Sequence, residues 1–138
     1  PNKLLKPDSI EKYLDKDEVD EKFFYRQDKY NYKELREAMR SKETIYQWRR
    51  IYVRENKKKL CPTLTANMGT GGHNVPLILT DDGIRKLTPR ECFNFQGYPR
   101  SFKLPKNLSN AQLYKQAGNS VSVPLIKKLA ESIKKVLE

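Results

Sequence analysis

The stretch YKQAGNSV, Tyr114 to Val121, sets Gly118, Asn119 and Ser120 immediately before a basic amphipathic run. A Gly-Asn-Ser corner beside a helix end can cap the helix, cradle an anion on free backbone N–H groups, or close one wall of a pocket built elsewhere. Other reactive residue types are sparse. Cys61 and Cys92 stand far apart without metal-ligand spacing and His73 is the single histidine, so no metal site and no disulfide framework is expected. On its helix pattern Cys92 faces inward beside Phe93 and Phe95 and reads as a small buried hydrophobe, and Cys61, followed by Pro62, reads as packing. His73, in a glycine-rich loop, reads as a polar contact rather than a base. No Ser/His/Asp set, P-loop or dinucleotide fingerprint accompanies them.

The features that could bind are stronger. The chain of 138 residues carries a formal charge of +11, which makes a polyanion the first partner to consider, nucleic acid before an acidic membrane surface. No apolar run approaches a membrane span, so no membrane partner is expected and the cytoplasm is the expected compartment. In TIYQWRRIYVRE, from Thr44, the residues Tyr46, Trp48, Arg50, Tyr52 and Arg54 alternate with Ile45, Gln47, Arg49, Ile51 and Val53. That period predicts one strand with an aromatic and basic face. Trp48 there either stacks on a base or caps the core. The following TANMGTGGHN offers small residues that let a backbone approach a phosphate chain closely. The expected DNA contacts are Trp48, Arg49, Arg50 and Arg54 on the strand and Thr63, Thr65, Asn67, Gly69, Thr70, Gly71 and Gly72 in the loop.

These residues need a frame. DSIEKYLD predicts a short helix with Asp8 or Ser9 at the N-cap and Glu11 closing a capping box with Asp8. DEVDEKFFY and NYKELREAMR predict two more amphipathic helices, the second with Leu35, Ala38 and Met39 on one face and Asn31 and Glu34 as a capping pair. LCPTLTA, NVPLIL and IRKL are strand candidates, with NKKK, NMGTGGH and DDG as connections. TPRECFNFQGYP predicts a helix capped by Thr88, opened by Pro89, boxed by Glu91 and stopped by Gly97. A further short helix runs from Ser109 and is closed by Gly118. The last helix begins near Pro124 and carries Leu125, Ile126, Leu129, Ile133, Val136 and Leu137 on one side. The sum is an α+β chain: a small twisted sheet, flanking short helices and a C-terminal amphipathic helix that needs something apolar to lie on.

In order, CPTLTANMGTGG, RKLTPRECFNFQGYP and YKQAGNSVSVPLIKKLAESI resemble the C-terminal part of a bacterial C5-cytosine DNA methyltransferase. The resemblance runs from Cys61 to about Ile133, over the end of the target-recognition domain and the family's ninth and tenth motifs. The first sixty residues resemble the variable part of that domain only in character. The resemblance implies that Thr63 and Leu64 are the family's Thr-Leu pair at the DNA backbone. The ninth motif falls on Arg85, Lys86, Leu87, Pro89, Arg90, Glu91, Gly97 and Pro99, whose arginines would be struts rather than base readers. The tenth falls on Gly118, Asn119, Ser120 and Val121, which would complete an S-adenosylmethionine pocket.

The resemblance further implies a division into a recognition part, residues 1–108, and a segment, residues 109–138, whose helix would pack on a Rossmann-like catalytic domain. The family's glycine-rich cofactor loop, Pro-Cys nucleophile, Glu-Asn-Val and Arg-x-Arg motifs are not found in this sequence. In the implied reaction a cysteine thiolate adds to C6 of a flipped cytosine, a glutamate acts at N3, and C5 takes the methyl group. None of these groups is expected from this chain, so no catalytic residue is assigned to it. S-adenosylmethionine would bind only together with a catalytic half, in cis or as a separate subunit. The expected partners are therefore double-stranded DNA and that half, with self-association of the isolated chain through its apolar helix, in a bacterial cytoplasm at the nucleoid. The readings that compete are a DNA-binding module without catalysis and a basic domain that binds proteins.

Overall fold

The computed structural model describes residues 8–70 and 75–138. The expectations for Gly71, Gly72 and His73 lie outside the described residues. Two 3₁₀ turns, Ile10–Tyr13 and Glu21–Phe23, precede helix α1, Tyr32–Ala38. The strands are β1, Ile45–Arg49, β2, Tyr52–Asn56, β3, Leu77–Thr80, and β4, Gly83–Lys86, followed by α2, Pro89–Phe95, α3, Asn110–Asn119, and α4, Val123–Leu137. The strands form one antiparallel four-stranded sheet in the order β2-β1-β3-β4. This is the expected α+β architecture.

Alternation along the strands gives the sheet two apolar faces. Ile45 and Ile78 point to a core shared with Ile10, Leu64, Met68, Leu87, Cys92, Phe93, Tyr114 and Ala117. Tyr46, Trp48, Leu77 and Ile84 point the other way and are covered by Leu35 of α1 and by Met39 just past its end. Each such fully buried side chain contributes about 1.5–3 kcal/mol through apolar burial. Leu35 and Met39 are buried as their spacing implies, whereas Ala38 is exposed. Asn31 makes no side-chain cap to α1; its side chain is buried instead.

The long strand expected from Thr44 is a hairpin. Arg49 pairs with Tyr52, and Arg50 takes a left-handed φ of 52° in the two-residue turn between them. A two-residue turn needs positive φ, which glycine or asparagine usually supplies and arginine rarely does. The pairing Trp48 with Val53 and Gln47 with Arg54 places the tryptophan and the arginine on opposite faces. LCPTLTA is irregular rather than a strand, because Pro62 has no N–H to give to a ladder.

The N-terminal helix expectations also change. The segment around Ile10 forms a single 3₁₀ turn, and Asp8 accepts from Lys12 and the Tyr13 hydroxyl instead of boxing with Glu11. DEVDEKFFY holds only the 3₁₀ turn Glu21–Phe23, capped by Asp20. What fixes the first segment is distant: Asn94 donates to the Tyr13 carbonyl at 2.9 Å and Arg100 to the Leu14 carbonyl at 2.8 Å. Tyr13 also stacks on Phe95 at 4.8 Å.

Helix α2 has the expected signals: the Thr88 capping box with Glu91, Pro89 in the first turn, and Gly97 at φ 86° beyond its end. Helix α3 is capped by Ser109 and boxed by Gln112. It continues through Gly118 to Asn119, so Gly118 lies inside the helix rather than closing it. Pro124 stands in the first turn of α4, and no residue of α4 is buried. Leu125, Ile126, Leu129, Ile133, Val136 and Leu137 are all exposed.

Candidate functional site

The hairpin face turned away from α1 forms one wall of a cleft of about 780 Å³. Gln47, Arg49, Arg54 and Asn56 lie on that wall, and the turn beyond β2 adds Lys57 and Lys58. Leu60, Cys61, Pro62, Thr63, Thr65 and Asn67 form the wall opposite. Four cations, Arg49, Arg54, Lys57 and Lys58, share the lining with one carboxylate, Glu55. Glu55 takes a hydrogen bond from the Thr44 hydroxyl at 2.9 Å. A cleft with such an excess of positive charge focuses its field on an anion.

By type and position Lys57 and Lys58 read only as turn residues; the signal available was their charge directly after a basic strand. The turn is shaped by Lys59, left-handed at φ 56°, and by the Asn56 amide donating to the Leu60 carbonyl at 3.3 Å.

The opposite wall owes its form to alternation in TLTANM. Leu64 and Met68 are drawn into the core, which leaves Thr63, Thr65 and Asn67 exposed. The Thr65 hydroxyl donates to Asn67 Oδ1 at 2.7 Å, the Thr70 hydroxyl to the Asn67 carbonyl at 2.7 Å, and the Met68 N–H to the Thr65 carbonyl at 3.1 Å. Local bonds of this kind hold a polar loop in one shape.

Not every expected contact joins the cleft. Trp48 borders it, but the residue is only 8% exposed and packs in the core under α1, edge-on to Tyr30 at 6.3 Å. The base-stacking alternative is thereby set aside for this residue, because strand alternation turns its side chain to the covered face. Arg50 sits at the hairpin tip, and Gly69 and Thr70 lie past the lining residues. Burial pushes the Cys61 thiol up to about 12, and Cys92, completely buried, is raised as well. Both are neutral near pH 7 and neither is an activated nucleophile.

Arg85 is spent on structure. It is buried and grips the Glu91 carboxylate with two bonds, at 2.8 and 2.7 Å. Arg90 is half-buried, Pro89 is buried and Pro99 is exposed.

The Gly-Asn-Ser corner stands at the end of α3. Asn119 and Val121 are exposed, while the Ser120 hydroxyl donates to the Ala117 carbonyl at 2.9 Å and its N–H to the Gln116 carbonyl at 3.0 Å. Gln96, which sequence reasoning missed, ties this corner to α2. Its amide donates to the Ala117 carbonyl at 3.0 Å, and its own carbonyl receives the Val123 N–H at 2.8 Å. The partners lie more than twenty residues ahead, so no local spacing could have signalled it. Gly97 packs on Pro124, where a Cβ would come within 2.4 Å of the ring.

Among the described residues no helix is long and apolar enough to cross a membrane, and no group of three or more His, Cys, Asp or Glu could hold a metal ion.

Known proteins match this arrangement. The solved structure of the Entamoeba histolytica methyltransferase EhMeth superposes with a TM-score of 0.65 at 19% identity, over 96% of this chain and 42% of that one. Such a likeness speaks for the fold. In sequence, the Type II methyltransferase M.Bsp6I of Bacillus sp. (strain RFL6) is 67% identical over 120 residues, 86% of this chain and 38% of its own length. M1.ScrFI of Lactococcus lactis subsp. cremoris is 41% identical over 76 residues, 55% of this chain and 19% of its own length. The chain thus spans well under half of these relatives. A profile of the family described as C-5 cytosine-specific DNA methylase matches residues 3–135. With nearly the whole sequence inside that match, the chain belongs to the C-5 cytosine-specific DNA methylase family.

Proposed function

We propose that this chain is the DNA-recognition and cofactor-pocket-completing part of a DNA (cytosine-5-)-methyltransferase of the restriction-modification type. The whole enzyme would carry a methyl group from S-adenosylmethionine to C5 of cytosine in a short DNA site. The observation that carries the reading is the cleft in which Arg49, Arg54, Lys57 and Lys58 face Thr63, Thr65 and Asn67. The cations hold phosphates, and the threonine and asparagine side chains present donors and acceptors to the backbone or to base edges.

Residues 1–108 do the recognising in this account, and residues 109–138 belong with the catalytic lobe. The exposed Asn119 amide, the remaining Ser120 hydroxyl lone pairs and the exposed Val121 side chain suit one edge of a ligand with polar and apolar parts, as S-adenosylmethionine is. They supply an edge only; when bound, the cofactor brings the activated methyl group. The nucleophile and the remaining walls belong to the catalytic half, and α4 lies against that half. Two of this chain's duties follow: to grip the duplex and to position the corner. Its working place would be the bacterial nucleoid.

The test uses the chain alone with tritiated S-adenosylmethionine and mixed-sequence duplex DNA, with binding followed in parallel by fluorescence anisotropy. Salt-sensitive duplex binding with only background label is expected. Label in cytosine above a no-protein control contradicts the division of labour, and no duplex binding at low salt contradicts the recognition role.

A further inference from the structure

The cleft and the corner touch through backbone. Gly118 lies within α3, where glycine costs about 1 kcal/mol relative to alanine. The reason for glycine is its neighbour: a Cβ there would lie 2.2 Å from both the carbon and the oxygen of the Thr65 carbonyl, and 2.5 Å from the Ala66 nitrogen. A second glycine makes the same joint from the other side. Gly69, at φ 83°, lies against Tyr114 of α3, where a Cβ would fall 2.6 Å from the ring. Tyr114 is itself fixed by its hydroxyl donating to the Leu87 carbonyl.

Two close approaches therefore clamp the loop carrying Thr65 and Asn67 to α3. The residue after Gly118 is Asn119, and the turn behind it is held by Gln96. No flexible side chain intervenes at the Thr65 contact, so a shift of that peptide is met directly by the helix end.

Resting on the function proposed above, we infer that Gly118 is a positioning residue that couples the two sites. A duplex seated against Thr65 and Asn67 fixes the Asn119–Ser120 corner, and a ligand at the corner fixes the loop. Coupling of this kind is reciprocal by thermodynamic linkage. The first turn of α4 is tied to the joint through Val123 and Pro124, whereas its last two turns, exposed throughout, lie outside it.

Hydrogen exchange on the whole chain, with and without saturating mixed-sequence duplex at low salt, reads this directly. The amides of residues 63–70 should slow on binding, those of residues 118–121 should slow with them by about fivefold or more, and those of residues 130–137 should not change. Protection of 63–70 with 118–121 exchanging at the free rate overturns the coupling and leaves DNA recognition standing. No protection anywhere in the cleft, with no anisotropy change, overturns recognition and the coupling together. Gly118→Ala gives a second reading where its melt shows a folded chain: duplex affinity should fall by about fivefold or more with all cleft cations in place. Affinity equal to wild type contradicts the role.

Discussion

Arg85 and Glu91 meet as a two-bond fork on a carboxylate, both buried in the floor of the fold. Glu91 also accepts from the Thr88 N–H at 2.8 Å and the Asp15 N–H at 2.9 Å, so one side chain joins β4, the start of α2 and the N-terminal segment. Removing one partner leaves a buried charge uncompensated. Glu91→Ala should cost about 3–5 kcal/mol in a denaturant titration; a loss below about 1 kcal/mol, the scale of an exposed pair, would contradict this picture.

Asp15 makes stability depend on pH. Burial, reinforced by the Glu91 charge, raises its carboxyl above the usual 3.8, although the Thr88 hydroxyl bonded to it acts the other way. A raised carboxyl binds its proton more tightly when folded, so its favourable contribution is present below the unfolded value and is lost as pH rises through the folded one. Asp15→Asn keeps an acceptor for Thr88 without the charge. Its melting temperature should match or exceed wild type at pH 7, and any gain should vanish toward pH 3.8, the ordinary Asp value. A melting temperature several degrees lower at pH 7 would contradict this assignment.

Arg50 is held at φ 52° by the hairpin. Glycine takes that conformation without strain, so Arg50→Gly should gain about 1 kcal/mol of stability. Duplex affinity should change little, because the cleft is lined by Arg49 and Arg54 and not by Arg50. Thermal melts and anisotropy check the two halves separately.

Leu129 and Ile133 are 51% and 60% exposed on α4. Changing both to lysine should leave the melting temperature of the chain within a degree or two, since surface changes of this kind are usually worth less than about 0.5 kcal/mol. Sedimentation should then show less self-association than wild type. A marked fall in melting temperature would mean that the stripe is covered in solution.

The frame is most legible where chemistry is local. Thr88, Pro89 and Glu91 spell a helix start within four residues, and Ser109 does so again. The hairpin is hidden because Arg50 and Ile51 are not turn residues by type, and the alternation on either side runs through them without a break. A continuous strand would set Trp48 on the same face as Arg54, whereas the hairpin turns it into the core. Thr63, Thr65 and Asn67 are legible as one wall because Leu64 and Met68 between them are apolar. Gly118 has the look of a helix stop, the commonest use of glycine at a helix end; its real neighbour, Thr65, is fifty-three residues back and leaves no local trace.

A cleft that grips DNA by its phosphates must show it in the salt dependence of duplex affinity. Anisotropy titrations of the wild-type chain and of the Arg49→Ala, Arg54→Ala double variant would be run across a range of salt concentrations. The wild type should bind weakly and lose affinity steeply as salt rises. The double variant should bind more weakly still, with the slope of log K against log salt reduced by about 1 for each phosphate that is no longer neutralised. Equal affinity and equal slope for the two proteins would contradict the phosphate grip.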